Sequence, residues 1–182
     1  GVVTIPENCF RECDTLEKIV FSASVTSIGD EAFYNCVSLN EVHYNGEVKD
    51  WVKIGFCGAR SNPLLYASSL YIDGECVSAI TIADSVTSIG DYAFVGCESL
   101  LSVTISDSAT SIGVGAFSGC VSLENITIPA SVTEIGATAF YGCISLESIV
   151  IPDAVTNIGE RVFQDCTSLA TISIQDGVEY IG

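Results

Sequence analysis

Apolar residues along Ile128 to Val150, IPASVTEIGATAFYGCISLESIV, follow two different rhythms. Leu123, Ile126 and Ile128, at the junction with the preceding segment, read L-x-x-I-x-I. Ile126 and Ile128 alternate with polar residues, the pattern of a short strand with one buried side. Further on, Ala139-Phe140, Cys143 and Leu146 are spaced by three. That spacing predicts a short helical or 3₁₀ turn with one inward face. Val132 and Ile135 carry the chain back along the core between the two. Gly136 follows at a position that predicts either positive φ or close approach of another backbone.

The pattern recurs with a period of 23 residues. Blocks starting at Phe21, Ile82, Ile105, Ile128 and Ile151 share one frame, I-x-x-x-V-T-x-I-G-x-x-A-F-x-x-C-x-S-L-x-x-I-x. Such a unit cannot bury its apolar set alone, whereas stacked neighbours bury it continuously, so the chain is expected to form a solenoid. One domain is predicted over residues 1–182. It comprises a partial repeat (1–20), a regular repeat (21–43), a long irregular repeat (44–81), four regular repeats (82–173) and a further partial repeat (174–182).

The period fails once. From Gly29 to Gly90 is 61 residues, two periods plus 15. Trp51 stands where other copies have Ile, so it is expected to fill the core. Trp51, Ile54 and Phe56 are expected to replace the I-G-x-x-A-F turn as a short helix. Asn62-Pro63 marks a loop. LYIDGECVSAITI reads as a hairpin turning at Asp73-Gly74.

L-x-x-I-x-I is a leucine-rich-repeat strand signature. With I-G-x-x-A-F-x-x-C-x-S-L, the chain resembles the BspA-type leucine-rich repeats over nearly its whole length. The resemblance implies a right-handed superhelix. A short parallel-strand sheet forms one face and short 3₁₀ or helical turns the other. It also implies surface or secreted proteins of oral and gut bacteria and some mucosal protozoa, with adhesion or host-protein binding as the function. Segments of the form YNG…W…I…NPL…LYI recur in that family, so the long repeat resembles a family variant.

Cysteine is the residue type whose chemistry needs deciding. Cys97, Cys120, Cys143 and Cys166 lie 23 apart, and Cys13 and Cys36 take the same slot. The slot is apolar and core-facing, and free Cys packs as a small hydrophobe. Ladder side chains point the same way and nine cysteines cannot all pair, so reduced, buried thiols are expected. Cys9 takes an Ala slot, a second thiol used as a small apolar group. A serine in the ladder slot would bury a hydroxyl with no assured partner. No C-x-x-C occurs and His43 is the only histidine, which disfavours zinc.

Six basic residues stand against 23 acidic ones, a net charge of −17. That excludes nucleic acid, which requires cationic side chains, and disfavours anionic membrane surfaces. No apolar run reaches the roughly 20 residues of a membrane helix. Asp84 and Asp107 share a repeat position, as do Asp153 and Asp176. Such rows imply weak Ca²⁺ binding at most, because Ala130 interrupts them and no EF-hand loop is present. No nucleophile–base pair, phosphate loop or cofactor motif appears, so neither catalysis nor a cofactor is expected.

The reading is a non-catalytic protein-interaction module, a fragment of an adhesin-like, extracellular or cell-surface protein with a host or matrix protein as partner. The alternatives are a structural spacer or a carbohydrate- or substrate-binding unit of a larger extracellular enzyme. The long repeat carries the only Trp and half the basic residues. Aromatic and Arg side chains are favoured at binding hot spots. His43, Lys53, Arg60 and Tyr66 are therefore the expected partner contacts.

Overall fold

The computed structural model describes residues 1–182. Alternating residues build a wide ladder of parallel strands: Lys18–Ser22, Glu41–Asn45, Ser69–Ile72, Ala79–Ile82, Ser102–Ile105, Asn125–Thr127, Ser148–Ile151 and Thr171–Ile174. A narrow ladder of two-residue strands runs beside it, at Thr4–Ile5, Ser27–Ile28, Gly55–Phe56, Ser88–Ile89, Ser111–Ile112, Glu134–Ile135, Asn157–Ile158 and Tyr180–Ile181. The chain is thus a parallel-strand solenoid of about eight turns. Where regular copies meet, register follows the repeat, as in Val103 opposite Ile80 and Ile126. The buried side of both ladders joins one continuous cluster of 47 residues.

The third side differs from the sequence expectation. In regular copies the A-F-x-x-C segment forms turns without helix. Two residues per turn have positive φ, as at Gly115 and Gly119, or Thr138 and Gly142. The second of these slots holds Gly96, Gly119 and Gly142, and otherwise Glu12, Asn35 or Asp165. Gly and Asn tolerate the left-handed region best. These flips aim the amides of Tyr92, Phe94 and Gly96 at the carbonyls of Val114, Ala116 and Ser118 in the next turn, at 2.7–2.8 Å. In the strands donation runs the other way, as in Gly113 N–H to Ile89 O at 2.9 Å. Lateral bonds between turns thus alternate with i→i−3 bonds inside each turn, such as Ala116 N–H to Gly113 O and Ser118 N–H to Gly115 O, and no continuous 3₁₀ helix forms.

The glycine after each narrow strand has a different reason. Gly113, Gly136 and Gly159 have ordinary φ, and a Cβ at Gly136 would stand 2.6 Å from Val114 N. Backbone approach between turns requires these glycines.

Inside, Phe94, Phe117, Phe140 and Phe163 stack with centroids 5.5–5.8 Å apart and rings within 5° of parallel. The long repeat interrupts this column. Val48–Trp51 forms a one-turn helix, and Ala59–Ser61 and Pro63–Leu65 form 3₁₀ turns. Asp73 and Gly74, both at positive φ, turn the chain so that Tyr71 pairs antiparallel with Cys76. The chain then resumes at Ala79–Ile82 against Ser102–Ile105.

One slot assignment changes. Phe56, paired with Ile28, takes the Ile position of the narrow ladder. Trp51 lies on the helix before it. A helix advances only about 1.5 Å per residue against about 3.3 Å in a strand, so counting residues across it misplaces the slot. Trp51 is fully buried, and its Nε1–H donates to Ala93 O at 2.8 Å. Asn62, also fully buried, donates to Tyr92 O and Ala93 O and accepts from Leu64 N–H. A regular turn would offer backbone amides to the next turn. Here two side chains supply donors instead.

Candidate interaction faces

Cys36, Cys97, Cys120 and Cys143 are fully buried, Cys13 and Cys166 partly so, and all nine cysteines are free. The ladder thiols have partners that the sequence reading lacked. Cys120 Sγ donates to Phe94 O at 3.1 Å, Cys143 to Phe117 O at 3.2 Å and Cys166 to Phe140 O at 3.0 Å. Each of these carbonyls also accepts the amide of the Cys three residues on in its own turn. Cys97 follows the long repeat, and its thiol meets Ser99 Oγ at 3.6 Å instead. Burial pushes the thiols up, to about 11 at Cys97 and about 12 at Cys143. A thiolate is the reactive form, so the ladder is chemically quiet. Cys9 departs from its expected role. It lies in the first turn and is exposed.

The hydroxyl ladders are structural where they bond. Thr110 and Thr133 donate to the carbonyls of Thr87 and Thr110, at 3.1 and 3.2 Å. No group of three or more His, Cys, Asp or Glu side chains is arranged to hold a metal.

Outward residues of the wide ladder divide in two. From Ala79 onward they are Ala79 and Thr81, Ser102 and Thr104, Asn125 and Thr127, Ser148 and Val150, then Thr171 and Ser173. None is charged. The preceding strands instead place Lys18, Glu41 and Ser69 in one row and Val20, His43 and Tyr71 in the next. His43 and Tyr71 stack at 4.2 Å with rings 3° from parallel. His43 Nε2 lies 2.9 Å from Glu41 Oε2, and Lys18 Nζ lies 3.4 Å from the same oxygen. The hydrogen bond to His43, with Lys18 second, holds the Glu41 carboxyl below its usual value. The neighbouring Cys76 thiol, then partial burial and Glu41, push the Tyr71 phenol up.

The four expected contact residues do not converge. His43 belongs to this wide-face patch. Lys53 lines a groove of about 280 Å³ beside the narrow ladder, with Gly55, Phe56, Ser88 and Asp91. Arg60 bonds Glu31 at 3.0 Å and lies 5.0 Å from the Tyr34 ring centroid. Arg11 binds the same carboxylate and lies over the same ring at 4.6 Å, so this cluster belongs to the turn side. Tyr66 is half-buried against the core. Sequence reading missed Tyr71 as the partner of His43. The two are 28 residues apart, and the inserted helix hides the register. The Asp73-Gly74 turn two residues after Tyr71 was the available signal.

Several solved structures share the architecture. The chain is 24% identical to a leucine-rich cell surface protein of Faecalibacterium prausnitzii, with a TM-score of 0.54, covering 98% of this chain and 66% of that one. A leucine-rich repeat protein of Eubacterium ventriosum gives 24% identity and a TM-score of 0.54 over 98% and 59%. The pneumococcal vaccine antigen PcpA gives 18% identity and a TM-score of 0.65 over 97% and 55%. This chain therefore spans only part of the length of each. No curated protein matches it in sequence. The family model for the BspA-type leucine-rich repeat region matches residues 3–69 and 66–182 in six copies, and the chain belongs to that family.

Proposed function

We propose that this chain is a non-catalytic protein-interaction module of a cell-surface or secreted protein, adhesin-like, with a host or matrix protein as partner. The supporting observation is the change of the wide face at the long repeat. The uncharged rows that follow it contrast with Lys18, Glu41 and His43 on the copies before it and Tyr71 within it. A ligand on the uniform rows has little to fix its register, whereas this patch is chemically distinct. Lys53, Arg60 and Tyr66 belong to the same proposal as contacts on the flanks of the long repeat. The uniform rows favour a second reading, a spacer that holds other domains apart.

Binding to immobilised matrix and mucin proteins tests the proposal with three variants of unchanged melting temperature. His43→Ala/Tyr71→Ala is expected to lose most binding, and Lys53→Ala/Arg60→Ala/Tyr66→Ala a measurable part. Thr104→Ala/Thr127→Ala is expected to bind normally. Loss only in the threonine variant would move the contact to the regular rows, and no binding by any form would favour the spacer.

A further inference from the structure

The wide ladder is broken at a second place, far from the long repeat. Asn125–Thr127 pairs with Ser102–Ile105, and Ser148–Ile151 pairs with Thr171–Ile174, yet these two pairs of strands are not joined to each other. Where regular copies are joined, a carbonyl just before one wide strand accepts the two amides that open the next. Ser78 O takes Leu101 and Ser102, Leu101 O takes Glu124 and Asn125, and Glu147 O takes Ala170 and Thr171, at 2.7–3.4 Å. At the break Glu124 O accepts no backbone amide, and the Glu147 amide finds no backbone acceptor. The narrow ladder and the turns remain joined across the same interface, through Glu134 opposite Asn157 and Phe140 N–H to Val162 O. Only the wide face is open.

Proline removes one further donor at the far end of the seam. Ile151 O accepts Gln175 N–H where the last two wide strands end, and at the break that position is Pro152. Pro129 holds the same place one turn earlier without parting its strands, so proline alone does not open the ladder.

The opening forms a cavity of about 340 Å³ lined by Asn125 to Ile128 and Ser148 to Val150. It runs into a wholly polar groove of about 320 Å³ lined by Glu124, Ser145, Glu147 and Ser168 among others. Val150, 57% exposed, stands at the apolar end. Arg161 is the only basic residue after Arg60, so the surroundings are acidic.

We propose that this seam is a docking site for an extended, basic peptide segment of a protein partner. The flanking strands keep Cα atoms within 8 Å of each other, too close to admit a whole strand between them, so the segment lies along the mouth of the opening, where the Glu124 carbonyl and the Glu147 amide have no backbone partner. Glu124 and Glu147 receive Lys or Arg side chains at one end, and Val150 with the cavity receives an apolar side chain at the other. The site is separate from the His43–Tyr71 patch, so either can fail alone.

The test uses the whole chain and a labelled peptide, acetyl-Arg-Val-Arg-Val-Arg-amide, with its Glu-for-Arg counterpart as control, at about 0.15 M salt. Anisotropy is expected to show binding of the basic peptide only. Glu124→Gln/Glu147→Gln is expected to weaken it about tenfold, while Asp84→Asn/Asp107→Asn, the same charge change elsewhere, changes it less than about twofold. Bound peptide is expected to slow hydrogen exchange at residues 147–151. Equal weakening by both double variants, absence of that protection, or absence of binding would each overturn the proposal.

Discussion

Residues 82–173 and residues 44–81 solve one problem in two ways. In the regular copies each turn meets another of its own shape. Backbone amides find backbone carbonyls, phenylalanines stack face to face, and cysteine thiols reach the carbonyl of the preceding turn. In the long repeat no such match exists. Trp51 and Asn62 must offer side-chain donors to Tyr92 and Ala93, and the aromatic contacts become tilted or edge-on, as for Trp51 with Phe56 and Tyr44. Stacking identical units satisfies polar groups through symmetry, whereas an insertion needs individually placed side chains. The long repeat also adds Tyr71 to the surface patch that Lys18, Glu41 and His43 of the preceding copies form.

The hardest way to break either region is to empty its core. Phe117→Ala and Trp51→Ala are each expected to cost roughly 3–5 kcal/mol in chemical denaturation. The comparison sharpens with Trp51→Phe. This keeps a ring but removes the donor to Ala93 O, and a loss of about 1–2 kcal/mol is expected. An unaffected Trp51→Phe variant would show that the indole N–H has no part in joining the regions.

Alkali attacks the regular side through its thiol ladder. A thiol whose value is raised on folding contributes fully below its unfolded value. That contribution is lost as pH rises toward the folded value. For Cys97 and Cys143 the window runs from 9.0 to about 11 and about 12. At one pH unit per roughly 1.4 kcal/mol, Cys97 accounts for about 2 kcal/mol lost by pH 11. Urea midpoints are expected to be level from pH 7 to 8 and to fall steeply above 9. Cys97→Ala/Cys143→Ala should flatten that fall, and an unchanged slope would refute the assignment.

Much of this is legible in the order of residues alone. The 23-residue period defines the slots, and identical residues in identical slots must share surroundings, so the buried thiols and the strand positions follow. Three things are hidden for physical reasons. The turn around Phe117 bonds sideways to its neighbours, which no local spacing encodes. Counting residues across a helix misplaces Trp51, because the rise per residue changes there. The open seam at Glu124 and Glu147 lies between two copies that both obey the repeat pattern, and that pattern records slots, not the backbone bonds between them.

Asn62 is the polar counterpart of Trp51. Asn62→Ala leaves the buried Leu64 amide without its acceptor and removes donors from Tyr92 O and Ala93 O. A loss of about 2–3 kcal/mol is expected from thermal or urea unfolding. The thiol ladder gives a finer contrast. Cys143→Ser retains a donor facing Phe117 O, so about 1 kcal/mol is expected. Cys97→Ser faces only Ser99 Oγ at 3.6 Å and is expected to cost more, about 2 kcal/mol. The reverse order would mean that the carbonyl contact contributes nothing.

The smallest expected effect lies within the regular region and tests how far its copies are interchangeable. Thr138 is β-branched yet sits at φ 56, where the preceding copy has Gly115 at φ 58. A left-handed β-branched residue is strained by order 1–3 kcal/mol, against which glycine loses about 0.5–1 kcal/mol in chain entropy. Thr138→Gly is therefore expected to stabilise by about 0.5–1 kcal/mol, raising the urea midpoint. Tyr92 occupies the same slot at φ 57, but its ring packs on the core and over Gly115. Tyr92→Gly, beside the long repeat, should destabilise instead. Opposite signs at one repeat position would show that the boundary with the long repeat, and not the repeat itself, decides what that slot requires. Destabilisation by both would mean that the Thr138 side chain is held by contacts worth more than its strain.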